Sequence, residues 1–571
     1  MNEQKLFDLW MEKATEDADI INELMSIKAN EKAIYERFFR DLEFGTGGMR
    51  GVLGAGIFRF NIYTVRKATQ GLANYLNAKK KGASVAIAYD SRIKSDLFAK
   101  TAAEVLAGNG IQVHIYKELM PTPMLSFAVR HLKADGGIVI TASHNPAKYN
   151  GYKVYGADGC QLTIDAADAV LAQVEQVDMF DGVKKISFEE GLSTGRIAYI
   201  EDTVIDAYLE QVALQTVNKG ILEEVNLKVI YSPLNGAGNK PVRAILKKMN
   251  IKNLTVVPEQ EQPDGNFPTT PFPNPEIRQV FEIAIDMAKE SNPDLLLATD
   301  PDCDRVGIAV RHDSEYVLMS GNEVGVLLLD YILSQRTILD TLPQNPIAVK
   351  TIVTTPLTER VAEKYNCELI DVLTGFKFIG EQIGFLEKKG QENRYVFGFE
   401  ESYGYLAGSY VRDKDAVVAS MLICEMAAFY KKQGKTLVNV MEALYKEHGF
   451  YNNTLENFEF EGADGMKKMA RMMASLRENT PEQIGGFSVV IVADYLNSVE
   501  YSSEKNQEKE ITLPKSDVLS YTLSNGCKLI VRPSGTEPKI KVYITAKGES
   551  RPAAQAMTAV LTGDIPKLLG L

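Results

Sequence analysis

Cysteine is scarce in this chain of 571 residues. There are five, at positions 160, 303, 367, 424 and 527, odd in number and without a Cys-x-x-Cys. That pattern excludes a disulfide framework and a zinc knuckle, and it fits a reducing compartment. Dense runs of lysine and arginine are missing too, and the formal net charge is -12. A nucleic-acid binder would carry a basic face, so no nucleic-acid partner is expected. An anionic substrate stays open, because local clusters can oppose the overall sign. No apolar run reaches the roughly 18 residues a membrane helix needs. The opening stretch, MNEQKLFDLWMEKATEDADI, has no basic segment followed by an apolar one, which a secretory leader would show. The expectation is a cytoplasmic protein with no membrane partner.

What is present is ordinary for a globular protein, 45% hydrophobic and 24% charged, and the length predicts roughly three to five domains. Residues 3–42 place Leu6, Leu9, Trp10, Ile20, Ile21, Leu24, Ile34, Phe38 and Phe39 at helical spacing. That spacing predicts one or two amphipathic helices covering a domain. Beyond them, strand-like runs alternate with helical ones. ASVAIAYD (83–90) precedes helical SDLFAKTAAEVLAGNG (95–110), and NLKVIYSPLNGAG (226–238) precedes KPVRAILKKMN. PIAVKTIVTT (346–355) precedes PLTERVAEKYN in the same way. Such alternation predicts parallel-sheet α/β units.

Each unit offers a further strand that ends in a polar loop: GGIVITASHNP, DLLLATDPDCDR and YVFGFEESYGY. Three similar units predict an internal repeat. In open α/β sheets ligands bind beyond the carboxyl ends of strands, so three such ends could face one cleft. The last part reads differently. Asn525-Gly526 between SYTLS and CKLIVR is a hairpin signal, and a separate α+β domain is expected there.

The loops carry the chemistry. Asp300, Asp302 and Asp304 alternate within DPDCDR. Carboxylates this close repel unless a cation neutralises them, and all-oxygen donors suit a hard ion, Mg2+ before Ca2+. An EF-hand is excluded, since Arg305 and Arg311 stand where it needs glycine and glutamate. A phosphatase with Asp300 as nucleophile stays open. Arg532, Ser534, Gly535 and Thr536 in RPSGTEP offer a guanidinium fork, two hydroxyls and a close backbone approach to a small anion. Glu400 and Ser402 in GFEESYGY could accept or donate bonds to sugar hydroxyls. Arg50 closes a glycine-rich loop, EFGTGGMR, that lacks the spacing of a P-loop or a dinucleotide fingerprint. Ser143, in TASHNP, is not in a Gly-x-Ser-x-Gly elbow. Its neighbour His144 is expected to point away from it, as adjacent side chains do on extended backbone.

Taken together and in this order, TASHNP, DPDCDR, GFEESYGY and RPSGTEP resemble the α-D-phosphohexomutase superfamily. Within it, the chain is similar to the longer bacterial phosphoglucomutase/phosphomannomutase type over nearly its whole length. The resemblance implies an α/β fold: three related α/β domains with mixed sheets plus a C-terminal α+β domain, four domains around a central cleft. The expected boundaries are 1–215, 216–318, 319–453 and 454–571.

It also implies roles. Ser143 would be the phosphoserine, and Asp300, Asp302 and Asp304, with an oxygen on Ser143, would hold one Mg2+ per chain. Arg50, His144, Lys153 and Arg305 would stabilise the transferring phosphoryl group. Thr374 and Gly375, in LTGFKFIG, would distinguish two substrate orientations. Glu400 and Ser402 would contact the sugar. Lys414 and the Arg532, Ser534, Gly535 and Thr536 loop would hold phosphate.

The implied activity is interconversion of glucose 1-phosphate and glucose 6-phosphate, with glucose 1,6-bisphosphate as intermediate and activator. Mannose or pentose phosphates, a Mg2+-dependent sugar phosphatase and a non-catalytic sugar-phosphate binder are the alternatives. A monomer or homodimer acting on a small phosphosugar is expected.

Overall fold

The computed structural model describes residues 3–45, 47–460, 462–534 and 539–571. They form two compact units, Met1–Gly321 with Ile379–Thr436, and Asn322–Phe378 with Leu437–Leu571.

The first unit opens with three helices, Glu3–Lys13, Ala18–Ile27 and Glu31–Phe38, where one or two were expected. Asp17 and Asn30 divide the pattern: their side chains accept backbone N–H groups at the starts of the second and third helices. Such capping competes with helix continuation. Trp10, Ile20, Leu24, Ile34 and Phe38 are buried as the spacing predicts, Leu6 and Leu9 are half-buried beside a buried Phe7, and Ile21 and Phe39 face solvent.

Two sheets follow. The first runs in the order Gly48–Val52, Tyr149–Gly156, Gly136–Ile140, Ser84–Tyr89, Gln112–Ile115, Ile197–Tyr199. The second runs Glu315–Met319, Val306–His312, Leu295–Thr299, Lys228–Ser232, Asn253–Val256. Both are mixed. In each, the strand that ends in a polar loop pairs in parallel with an earlier strand, and antiparallel with the strand after the loop. Gly136–Ile140 and Leu295–Thr299 are buried at every position, which explains their unbroken apolar sequence. The third polar loop joins an antiparallel pair, Tyr395–Glu400 and Gly404–Leu406.

The second unit holds a parallel pair, Ile347–Thr351 with Glu368–Val372, and an antiparallel sheet. That sheet runs Phe450–Glu459, Lys539–Gly548, Lys528–Pro533, Leu519–Leu523, Phe487–Asp494, Val499–Ser502, Gln507–Glu510. The hairpin at Asn525-Gly526 forms as expected, with Gly526 at φ +79. The final helix, Arg551–Leu569, packs Leu561 and Ile565 against Leu529, Val542 and Ile544 in one core. Among the described residues no helix is long and apolar enough to cross a membrane.

Candidate active site

The loop after Gly136–Ile140 turns at Ser143, whose φ of +51 is left-handed, a conformation uncommon for a residue with a Cβ. Thr141 Oγ1 accepts the Ser143 N–H at 2.8 Å. The turn sends the serine hydroxyl inward. It is 7% exposed and donates to Asp300 Oδ2 at 2.7 Å. The same turn overturns the expectation for His144. Because the backbone is not extended there, Nδ1 of His144 comes within 3.2 Å of Ser143 Oγ. Burial, reinforced by Arg305, holds the His144 pKa well below its usual value.

The acidic loop makes a comparable turn at Cys303, φ +51. Asp300, Asp302 and Asp304 are 0%, 0% and 1% exposed, and an oxygen of each lies within 4.8 Å of the others. Asp300 uses both oxygens: Oδ1 accepts the N–H groups of Asp304 and Arg305 at 3.1 and 3.0 Å, and Oδ2 accepts Ser143. Burial, then Asp302 and Asp304, push the Asp300 pKa well above the carboxylate range. Asp302, although buried, is held below that range by Lys153.

Two ammonium groups offset the cluster. Lys153 Nζ lies 3.0 Å from Asp302 Oδ2, and Lys414 Nζ lies 3.0 Å from Asp304 Oδ2 and 3.0 Å from Asp413 Oδ1. Asp302 Oδ1 and Asp304 Oδ1 are buried without a hydrogen bond. Three buried carboxylates, two of them with unsatisfied oxygens, and no soft donor in the cluster fit a hard divalent cation such as Mg2+.

Around this centre stand the other expected residues of the first unit. Arg305 Nη1 donates to Ser402 O at 2.9 Å and to Glu276 Oε1 at 3.2 Å, linking the acidic loop to the Glu400–Ser402 loop. Glu400 is buried, which raises its pKa against the pull of Lys414 and Arg305. Arg50 lies on Gly48–Val52, opposite Gly151, and donates to Asn145 Oδ1 at 3.2 Å.

Other expected residues belong to the second unit. Thr374 and Gly375 form the turn after Glu368–Val372, with Gly375 at φ +122. Thr374 Oγ1 is buried without a hydrogen-bond partner among the described residues. Arg532 and Ser534 lie at the end of Lys528–Pro533, and the Ser534 N–H donates to Lys539 O at 2.7 Å. Leu373 and Ile530 share one apolar core, which fixes that turn to that strand. Gly535 and Thr536 lie outside the described residues.

Residues the sequence reading missed complete the site. Thr122 donates through Oγ1 to Asp302 Oδ2 at 3.0 Å and through its N–H to Asp302 O at 2.9 Å. Asp413 accepts from Tyr155 OH at 2.6 Å while pairing with Lys414. Arg92 is 3% exposed beneath the Ser143 loop. Its one local signal was a charged pair, Asp90 and Arg92, just past a buried strand.

Models of the phosphoglucomutase/phosphomannomutase family match the chain in series. The α/β/α domains I, II and III match residues 41–180, 206–313 and 320–448, and the C-terminal domain matches 488–561. A phosphoglucomutase of Staphylococcus aureus strain USA300 is 37% identical over 544 residues, spanning 95% of this chain and 95% of its own. One from strain MRSA252 is 39% identical over 516 residues, 90% of this chain and 91% of its own. Parafusin, a phosphoglucomutase from Paramecium solved in an open form, has the same fold, with a TM-score of 0.69 at 16% identity over 94% of this chain and 95% of that one. A family protein from Burkholderia thailandensis shares the fold as well, with a TM-score of 0.65 at 17% identity over 92% and 97%. With all four domains matched in order and relatives aligned along nearly their full length, this chain belongs to the phosphoglucomutase/phosphomannomutase family and is a phosphotransferase of the mutase class.

Proposed function

We propose that the enzyme interconverts glucose 1-phosphate and glucose 6-phosphate through phosphorylated Ser143. One observation carries this reading: a buried serine hydroxyl, 2.7 Å from Asp300, sits at the edge of three clustered carboxylates flanked by Lys153 and Lys414. The phosphoryl group passes from Ser143 Oγ to the free hydroxyl of a hexose monophosphate. The serine P–O bond breaks as the bond to the sugar oxygen forms, and the proton the sugar hydroxyl gives up is balanced by the one Ser143 Oγ takes on as it leaves. The resulting 1,6-bisphosphate turns over and returns a phosphoryl group to Ser143 from its other end.

Held by Asp300, Asp302, Asp304 and the phosphoserine, Mg2+ would supply charge neutralisation and Lewis acidity at the phosphoryl oxygens. Arg50, His144, Lys153 and Arg305 spread the remaining charge. Glu400 and Ser402 hold sugar hydroxyls, and Thr374 and Gly375 read the sugar's orientation. Lys414 and the Arg532, Ser534, Gly535 and Thr536 loop hold the phosphate that is not transferred, which supplies orientation. The expected division at 215, 318 and 453 places one such loop in each domain.

The naming of the Staphylococcus aureus relatives as phosphoglucomutases favours glucose over mannose or pentose. The occupation of both Asp300 oxygens weighs against a phosphatase using Asp300 as nucleophile. The test is mass spectrometry of the purified enzyme with rates on glucose 1-, mannose 1- and ribose 1-phosphate. Phosphate on Ser143 and the highest rate on glucose 1-phosphate are expected. Inorganic phosphate release without a bisphosphate would overturn the reading.

A further inference from the structure

The turn at Ser143 needs a reason to persist, since a left-handed serine is strained. Arg92 supplies one. Its guanidinium lies under the loop and spends all four Nη hydrogens on loop carbonyls. Nη1 donates to Pro146 O and Tyr149 O, both at 3.1 Å. Nη2 donates to Ser143 O and Asn145 O. Asp90 stands behind it, with Oδ2 3.4 Å from Arg92 Nε and both side chains fully buried. Asp90 Oδ1 accepts the Arg92 N–H at 2.9 Å and Ser95 Oγ at 2.8 Å, so the arginine's base is itself fixed.

The cover over this guanidinium comes from the other sheet's domain. Phe267 is 1% exposed, and its ring centre lies 5.1 Å from the Arg92 guanidinium carbon. The segment carrying it presses closely on the first domain: a Cβ on Gly265 would stand 2.4 Å from the Ile93 nitrogen. A desolvated guanidinium over an aromatic face is attracted by the ring quadrupole. It also loses the water that would compete for its donors.

We propose that Arg92, capped by Phe267, is a positioning residue that holds Ser143 in the conformation from which phosphoryl transfer occurs. The second domain thereby sets the serine in two ways, through Asp300 at its hydroxyl and through Phe267 on the arginine behind its carbonyl. Arg92 touches neither substrate nor the transferring group. It acts on backbone carbonyls, where a planar fork reaches several acceptors and an ammonium cannot.

This inference rests on the phosphoserine reading, so wild-type enzyme is assayed first. A wild type without mutase turnover or phosphate on Ser143 overturns both. Against an active wild type, Arg92→Lys is expected to lower kcat about 100-fold, the effect of displacing a reacting group by a fraction of its bond length. KM for glucose 1-phosphate should change less than about threefold. Single-turnover transfer from the phosphorylated enzyme should slow with kcat, because the loop and not the binding site is disturbed. Phe267→Leu, which keeps the apolar cover and removes the ring face, is expected to lower kcat about tenfold with KM unchanged. It is the variant to read if Arg92→Lys does not fold. A folded Arg92→Lys or Phe267→Leu enzyme with wild-type kcat and wild-type single-turnover rate would overturn the clamp and leave the phosphoserine reading standing. So would a loss of rate accounted for by the unfolded fraction.

Discussion

The loops that follow Gly136–Ile140 and Leu295–Thr299 leave equivalent strands of two sheets with the same local strand order, and both turn on a left-handed residue, Ser143 in one and Cys303 in the other. Their anchors are opposite. In the serine loop a cation, Arg92, gathers backbone carbonyls. In the acidic loop a carboxyl group, Asp300, gathers the backbone N–H groups of Asp304 and Arg305. Similar turns are thus held in two ways, by a side-chain donor in the serine loop and by a side-chain acceptor in the acidic loop, and the loops meet where Ser143 Oγ donates to Asp300.

The largest effect should come from emptying the serine loop of its chemistry. Ser143→Ala is expected to lower mutase turnover by at least about four orders of magnitude, measured by coupled assay. Activity near wild type would break the division of labour between the loops.

The acidic loop comes next. Asp302→Asn is expected to lower kcat about a thousandfold. Mg2+ is expected to raise the melting temperature of wild type, since a ligand that binds only the folded state stabilises it by mass action, and Asp302→Asn should abolish that rise. Chelator treatment of wild type should remove both activity and that shift, with both restored by Mg2+. A variant still stabilised by Mg2+ would place the ion elsewhere.

A smaller effect is expected at Thr122, the first domain's hold on the acidic loop. Thr122→Val removes one hydrogen bond to a charged acceptor, about 1.5–3 kcal/mol, and kcat should fall roughly tenfold with KM little changed. An unchanged kcat would show that the acidic loop needs no help from the serine domain.

The smallest effect tests whether the N-terminal helices matter to either loop. Glu16 binds Arg66 through two hydrogen bonds, and the Arg66 bond, opposed by partial burial, lowers its pKa from 4.5 to about 2. A carboxyl with a lowered folded pKa adds stability above its unfolded pKa and loses it as pH falls through the folded one. The melting difference between wild type and Glu16→Gln should therefore be full at pH 7 and vanish between about pH 4.5 and pH 2. Solvent screening of the half-exposed carboxylate keeps it below about 1 kcal/mol. Turnover of Glu16→Gln at pH 7 should match wild type. A slower enzyme would tie these helices to the Arg50 strand they precede.

Legibility followed sequence distance. Ser143, the three aspartates and Glu400 were readable because each sits in a contiguous motif directly after an apolar run, and a buried strand must end somewhere polar. The hairpin at Asn525-Gly526 was readable because that pair favours the turn locally. Arg92, Thr122 and Asp413 were not. Arg92 acts on carbonyls 51 or more positions away, and Thr122 on a carboxylate 180 positions away. Nothing in the residues beside them marks such partners. The Ser143–His144 contact failed for a different reason: adjacency predicts divergence only on extended backbone, and the φ at Ser143 is set by the loop's surroundings.

By itself, then, the sequence determined the alternation of strands and helices, the places where strands break into polar loops, and the kinds of functional group those loops carry. Periodicity and local turn chemistry act over a few residues and need no partner. Tertiary structure alone decided which carboxylate meets the serine, which lysines offset the triad, and which arginine holds the turn. Those choices depend on buried charges finding opposite charges, and burial is a property of the assembled domains.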